Sequence, residues 1–254
     1  NLTLFLLSSF IIMLVGSRAV FSLFINLKNN WGLLLSLVIV IITNFYGLEG
    51  VLNLNFILIP ILLVIIITFT VGIDFKLNLL DINLNVRELS SIFTYTGYNL
   101  VLALTVLLPL AAKFNKVEII WGVSSGGIIL GIIAFLIAAV LLQFYDSIIE
   151  TELPMLKAVK IYKPEFYYLY ALTLWLAMLT TASCNLYALL DRLEGIFSYN
   201  REILLIILII IIIPFLQFSF STLVEEVYPK LGILSLFFFC ILVFSFFVNE
   251  HLKL

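Results

Sequence analysis

Eight apolar stretches, each close to the length of a bilayer span, fill almost the whole chain: residues 2–27, 31–46, 52–73, 91–113, 117–143, 166–191, 202–222 and 230–249. A hydrocarbon core about 30 Å thick needs about 20 apolar residues in helical form. The chain is 64% hydrophobic and only 11% charged, against about 25% charged in a soluble domain. The expectation is an all-α integral membrane protein of about eight transmembrane helices, a single transmembrane domain over residues 1–254, surrounded by the lipid bilayer.

The few polar residues exclude more than they suggest. A net charge of −2 with no basic stripe gives no sign of a nucleic-acid partner. His251 is the only histidine and lies in the C-terminal tail, so neither a histidine-built metal site nor a Ser-His-Asp triad is expected. No span contains a nucleophile, base and metal set, and an enzyme is not expected. Cys184 and Cys240 both fall in apolar spans, where free cysteine acts as a small hydrophobe, and no disulfide framework is present. The chain opens on Asn1, and NLTLFLLSSFIIMLVG lacks the basic leader and cleavage site of a signal peptide; the expectation is a chain cut upstream.

Alternating the loops across a membrane puts Lys113, Lys116, Arg192, Arg201 and Lys253 on one side. Lys28, Lys76, Arg87, Lys157, Lys160, Lys163 and Lys230 fall on the other. Five of those seven (Lys76, Arg87, Lys157, Lys160 and Lys163) lie in the two long connections, 74–90 and 144–165, where the positive-inside rule counts least. Charge alone leaves the orientation open. Trp31, Tyr46, Trp121, Tyr162, Tyr167, Tyr168 and Tyr170 read as interfacial anchors.

The fourth segment carries SSIFTYTGYNL where an uninterrupted apolar run is expected. Tyr95, Tyr98 and Asn99 are spaced i, i+3, i+4 and share a face on a continuous helix. Thr94, Thr96 and Gly97 add small polar atoms and a glycine that lets the backbone open. An unwound helix at Thr96–Gly97 presents N–H groups to a carboxylate and carbonyls to a cation, and irregular backbone at membrane depth belongs in a cavity. Tyr95, Thr96, Gly97, Tyr98 and Asn99 are therefore candidate substrate-binding residues. The alternative is a continuous helix whose Tyr and Asn bond across helices and whose Gly packs closely.

In the sixth segment, Ala177, Thr180 and Thr181 bring a carbonyl and two hydroxyls to one point, an oxygen set suited to Na⁺. Asn185 extends that polar face. Serine and threonine are also ordinary helix-packing residues in membranes. Arg18 sits inside the first span, where a charge is costly and marks a functional position by default. It pairs with a carboxylate, caps a cavity or snorkels to the interface, and no acidic residue lies mid-span as its partner. DSIIETELPM, with Glu150 and Glu152, reads as a short helix or re-entrant piece at the membrane surface. The glycines of GVSSGGIILG, 122–131, fit tight helix contact, and Pro60, Pro109 and Pro214 are expected kinks.

SSIFTYTGYNL followed by VLLPLAA, ELPML in the long loop, and LTTASCNLYALL, taken in order, resemble the bacterial YkvI-like membrane proteins, relatives of the amino acid–polyamine–organocation transporters. The resemblance runs the length of the chain, from IIMLVG through GLEGVLNLNFILIPILL. It implies a LeuT-type fold of two inverted five-helix repeats, with the eight spans standing as helices three to ten. Residues 1–73 would be the remainder of the first repeat and 91–249 the second. The fourth segment becomes a broken helix at 94–99, Ala177, Thr180 and Thr181 a sodium site, and the ELPML loop an extracellular lid. Asn1 then lies on the cytoplasmic side of a bacterial plasma membrane. The chain departs from the pattern in lacking the first two helices, which implies a fragment or a protein without transport, and Arg18 is unusual for the family.

The expected function is secondary transport of a small solute, an amino acid or related compound, coupled to Na⁺ or H⁺ and working by alternating access. The rivals are a non-transporting solute sensor of the spore-germination type and a structural membrane subunit.

Overall fold

Packing is organised around two helices that lie side by side, each lined with the residues that need burial most. The computed structural model describes residues 2–22, 31–70, 85–111, 114–197 and 199–251, and these are helical apart from short turns and connections. Helix α1, Leu2–Phe21, packs along α8, Tyr167–Ile196, in the most extensive contact of the molecule. Leu6, Phe10 and Leu14 of α1 and Leu179, Leu186 and Leu189 of α8 are completely or almost completely buried. Helices α2, Trp31–Phe45, and α3, Gly47–Thr70, close against the same pair.

Helix α4, Val86–Ala111, pairs instead with α10, Phe220–His251. Two glycines permit this approach. A Cβ on Gly97 would stand 2.9 Å from Leu236 Cδ2 and Ser235 Oγ, and one on Gly232 would stand 2.7 Å from the Thr94 carbonyl oxygen. Small residues at a crossing let two backbones come together where lipid supplies no hydrophobic drive.

Local signals set several boundaries. Asn115 and Glu118 form a reciprocal capping box at the start of α5, Lys116–Gln143. A short turn of helix, α6 (Tyr145–Ile148), leads to α7, Pro154–Tyr162, which has proline in its first turn, where a missing N–H costs nothing. This strap is the short helix expected from ELPML, with Met155, Leu156, Ala158 and Val159 buried. Helix α8 follows a 3₁₀ turn at Pro164–Phe166.

Helices α2 and α3 meet at Gly47, whose φ of +62° lies in the left-handed region. Gly47→Ala leaves the space around the turn unchanged, since nothing lies within 4 Å of its would-be Cβ. The strain alone is worth about 1 kcal/mol, so the substitution is expected to lower the thermal midpoint in detergent. An unchanged midpoint would contradict that geometry.

The last third of the chain contains the sharpest discontinuity. Helix α9, Arg201–Ile212, runs into a 3₁₀ turn at Ile213–Gln217 containing Pro214, and α10 departs at 111°. Pro214 thus ends a helix, as its lost donor and ring sterics require. Pro60 and Pro229 sit inside continuous helices.

By length and composition, α1, α3, α5 and the stretch Pro164–Ile196 can each cross a membrane, and the bent pair Arg201–Gln217 with Phe220–Phe238 makes a fifth span. Among the described residues this makes four spans, or five if the bent pair is one, against the eight expected. Helix α2, at 15 residues, is shorter than a span. The first half of α4 carries Ser90, Ser91, Thr94, Thr96 and Asn99, which dilute its apolar character. The glycines of α5 do not make the tight contact their spacing suggested: Gly122, Gly126, Gly127 and Gly131 have nothing within 4 Å of a would-be Cβ. Asn1, Lys28, Lys76, Lys113, Lys253 and the connection 71–84 lie outside the described residues, as do the side chains of Arg87, Pro109 and His251.

Candidate functional site

Four helices bring polar side chains into the apolar core at one place. From α8, Asn185 donates its amide N–H to Ser9 Oγ of α1 at 2.7 Å, both residues buried. Beside them stands Tyr98 of α4, only 1% exposed, its ring against Phe5 of α1 and edge-on to Tyr228 of α10 with centroids 4.7 Å apart. The Tyr98 hydroxyl lies next to those of Ser9 and Tyr228 without closing a well-formed hydrogen bond. A buried hydroxyl left so is worth about 1–3 kcal/mol against the fold, and such groups in native structures call for a partner.

The expected opening of the fourth segment is absent, because α4 is continuous through Thr96–Gly97. Two of its polar side chains bond carbonyls of their own helix. Thr94 Oγ1 bonds the Ser90 carbonyl at 2.9 Å, and Asn99 Nδ2 bonds the Tyr95 carbonyl at 2.8 Å. Gly97, read as a place for backbone to open, instead accommodates α10. Of the five candidate substrate residues, Gly97 and Tyr98 point into the protein, and Tyr95, Thr96 and Asn99 are exposed. Tyr98 and Asn185, placed by the sequence in separate constellations, come together through Ser9.

One turn along α8, Thr180 and Thr181 both donate to the Ala177 carbonyl, at 2.9 and 3.0 Å. The three oxygens expected to bind a cation are thus gathered. Thr180 is buried and Thr181 exposed. Each hydroxyl proton is spent on a carbonyl of its own helix, the ordinary back-bond of a helical threonine. Asn185 does not extend this face but turns into the core. Among the described residues, no group of three His, Cys, Asp or Glu side chains is placed to hold a metal.

Arg18 has an unexpected partner. Its Nη1 donates to the Leu216 carbonyl and its Nη2 to the Phe218 carbonyl, each at 2.6 Å. These carbonyls flank the break between α9 and α10, where the helical ladder leaves acceptors without donors. Among the described residues Arg18 has no carboxylate partner; its guanidinium fork closes the break. On the far side, Glu152 Oε1 accepts the Ser221 N–H at 3.2 Å. A cation at the carbonyl end and an anion at the N–H end both suit the helix dipoles.

Ser9, Tyr228 and Asn44 were not singled out by sequence. Asn44 donates to the Ser183 carbonyl at 3.2 Å, while Asn44 Oδ1 and Ser183 Oγ are buried without hydrogen-bond partners. Trp175 Nε1 donates to Ser36 Oγ at 2.8 Å. The available signal was a serine or asparagine inside an apolar run, which by itself does not say which helix it meets.

In sequence the chain is similar to two proteins of Bacillus subtilis. The chain is 26% identical over 246 residues to the uncharacterized protein YyaD of Bacillus subtilis, covering 94% of this chain and 72% of that protein. It is 25% identical over 238 residues to the uncharacterized membrane protein YkvI of the same organism, covering 89% of this chain and 67% of YkvI. The similarity to YkvI extends along nearly the whole chain. No family model matches the chain, and no solved structure matches it. Several apolar helices and a membrane-protein relative together make this a multi-pass membrane protein.

Proposed function

We infer that the chain binds a small solute where α1, α4, α8 and α10 meet and carries it across a bacterial plasma membrane as a secondary transporter. The observation that supports this reading is the Tyr98 hydroxyl, buried beside the Ser9–Asn185 pair and the Tyr228 hydroxyl without a well-formed hydrogen bond. A solute with a polar group satisfies that hydroxyl and excludes water from the seam. Transporter sites favour this setting, near mid-helix between packed elements. The amino acid class follows from the resemblance to amino acid–polyamine–organocation transporters, with the helices standing as three to ten of a LeuT-type fold of eight spans here. The oxygens at Ala177, Thr180 and Thr181 are the place for a coupling Na⁺, and H⁺ coupling is the alternative. Movement is then a rocking of the α4–α10 pair against the α1–α8 core.

A second reading has its own support. Continuous α4 offers no opened backbone to a solute, which favours a sensor of the spore-germination type that binds without carrying. Uptake of radiolabelled amino acids into liposomes reconstituted with the protein separates the two. Accumulation that depends on a Na⁺ or pH gradient supports transport, and binding without accumulation supports the sensor.

Tyr98→Phe keeps the ring and removes the orphaned hydroxyl. The variant is expected to be at least as heat-stable as the parent protein, since the burial penalty disappears. A clear loss of stability would show that the hydroxyl is already satisfied within the protein.

A further inference from the structure

A second place in the molecule holds opposite charges apart around an open space. A cleft of about 260 Å³ lies between the C-terminal end of α1, the α6–α7 strap and the first turn of α8, with Ser22, Glu152, Lys157, Lys160 and Tyr167 among its walls. Set against about 30 Å³ per water, its volume is ample for a solute as large as a small amino acid. The charges follow from the helix pattern. Met155, Leu156, Ala158 and Val159 turn inward, which leaves Lys157 and Lys160, three apart, exposed on one face of α7.

These lysines do not neutralise Glu152. No ion pair joins them among the described residues, where the ion pairs are Arg201–Glu194 and Lys230–Glu226. The carboxylate is held by its bond to the Ser221 N–H. The Lys160 ammonium is held 5.4 Å from the centre of the Tyr167 ring, a cation–π distance. An exposed carboxylate and two exposed ammonium groups therefore line one cleft without closing on each other. Their chemistry complements a molecule bearing an ammonium at one end and a carboxylate at the other.

We propose that this cleft binds a small zwitterion, its carboxylate on Lys157 and Lys160 and its ammonium on Glu152. The site is separate from the Ser9–Tyr98–Asn185 seam and stands whether or not the seam binds anything. It also touches the α9–α10 break, because the carboxylate that receives the ammonium also caps α10.

The test is calorimetric titration of the purified protein in neutral-lipid nanodiscs with L-alanine, and separately with inorganic phosphate. Beyond the Lys160 contact with the Tyr167 ring, no hydrogen bond or ion pair of Lys157 or Lys160 joins two helices among the described residues, so the double variant Lys157→Gln, Lys160→Gln is expected to keep the fold, checked by its thermal midpoint. The expected result is L-alanine binding that weakens about tenfold in the double variant, weakens with added salt, and persists in Tyr98→Phe. Alanine binding indifferent to the lysine pair, or abolished by Tyr98→Phe alone, would assign the zwitterion to the seam and overturn this proposal while leaving the proposed function standing. Phosphate binding as tightly as alanine, or tight binding only in nanodiscs of anionic lipid, would make the cleft a plain anion or headgroup site and overturn it as well. No alanine binding at all would do the same.

Discussion

Arg18→Ala is expected to cost on the order of 2–4 kcal/mol, because it removes two charge-assisted hydrogen bonds at once. The guanidinium satisfies the Leu216 and Phe218 carbonyls, at 2.6 Å each, where α9 ends and α10 has not begun. No other donor to these carbonyls is present among the described hydrogen bonds. The loss should be local before it is global, with faster amide exchange over residues 213–222 and little change in α2 or α3. Arg18→Lys keeps the charge but not the fork that spans two acceptors, so it should recover part of the stability. Exchange that rises evenly along the chain, or a thermal midpoint unchanged from the parent, would show that the break holds itself.

Gly232→Ala is the second large effect, and its contrast with Gly97→Ala carries the information. Both glycines lie at the α4–α10 crossing. A Cβ at position 232 meets the Thr94 carbonyl oxygen and carbon at 2.7 and 3.0 Å, which are backbone atoms of a continuous helix. They can give way only if the helices part. A Cβ at position 97 meets the end of Leu236 and the Ser235 hydroxyl at 2.9 Å, side-chain atoms that can turn aside. Overpacking typically costs about 1–3 kcal/mol. Gly232→Ala should sit at the upper end and Gly97→Ala at the lower, read from thermal unfolding in the same detergent. Equal losses would mean that the crossing is looser than described.

The contrast also shows what was legible in the residues. Hydrophobic length gave the helices well: the expected 117–143 and 31–46 match Lys116–Gln143 and Trp31–Phe45 within a residue. Gly97 was read as a place where backbone opens, with close packing as the alternative; which of the two happens depends on residue 236, far along the chain. Polar spacing identified Tyr98 and Asn185 without revealing that Ser9 links them, since helical periodicity reports the face of one helix and not its neighbour. The position of the break was mistaken for a related reason. A cluster of hydroxyls and amides can be satisfied by carbonyls one turn back, as Thr94 and Asn99 are, whereas Pro214 has no N–H to donate and interrupts the ladder. Arg18 was visible as an anomaly, but its acceptors are main-chain oxygens, which no side-chain pattern marks.

The most direct test of the central claim compares the parent protein and Tyr98→Phe for amino-acid-dependent thermal stabilisation, both carrying Lys157→Gln and Lys160→Gln so that cleft binding is about tenfold weaker and equal in the two. If a solute seats at the Ser9–Tyr98–Asn185 seam, at least one amino acid of a broad panel raises the midpoint of the Tyr98 protein. The same amino acid then leaves Tyr98→Phe markedly less shifted. Equal shifts in the two proteins, or none in either across the panel, would contradict a binding seam and leave these four helices as structure alone.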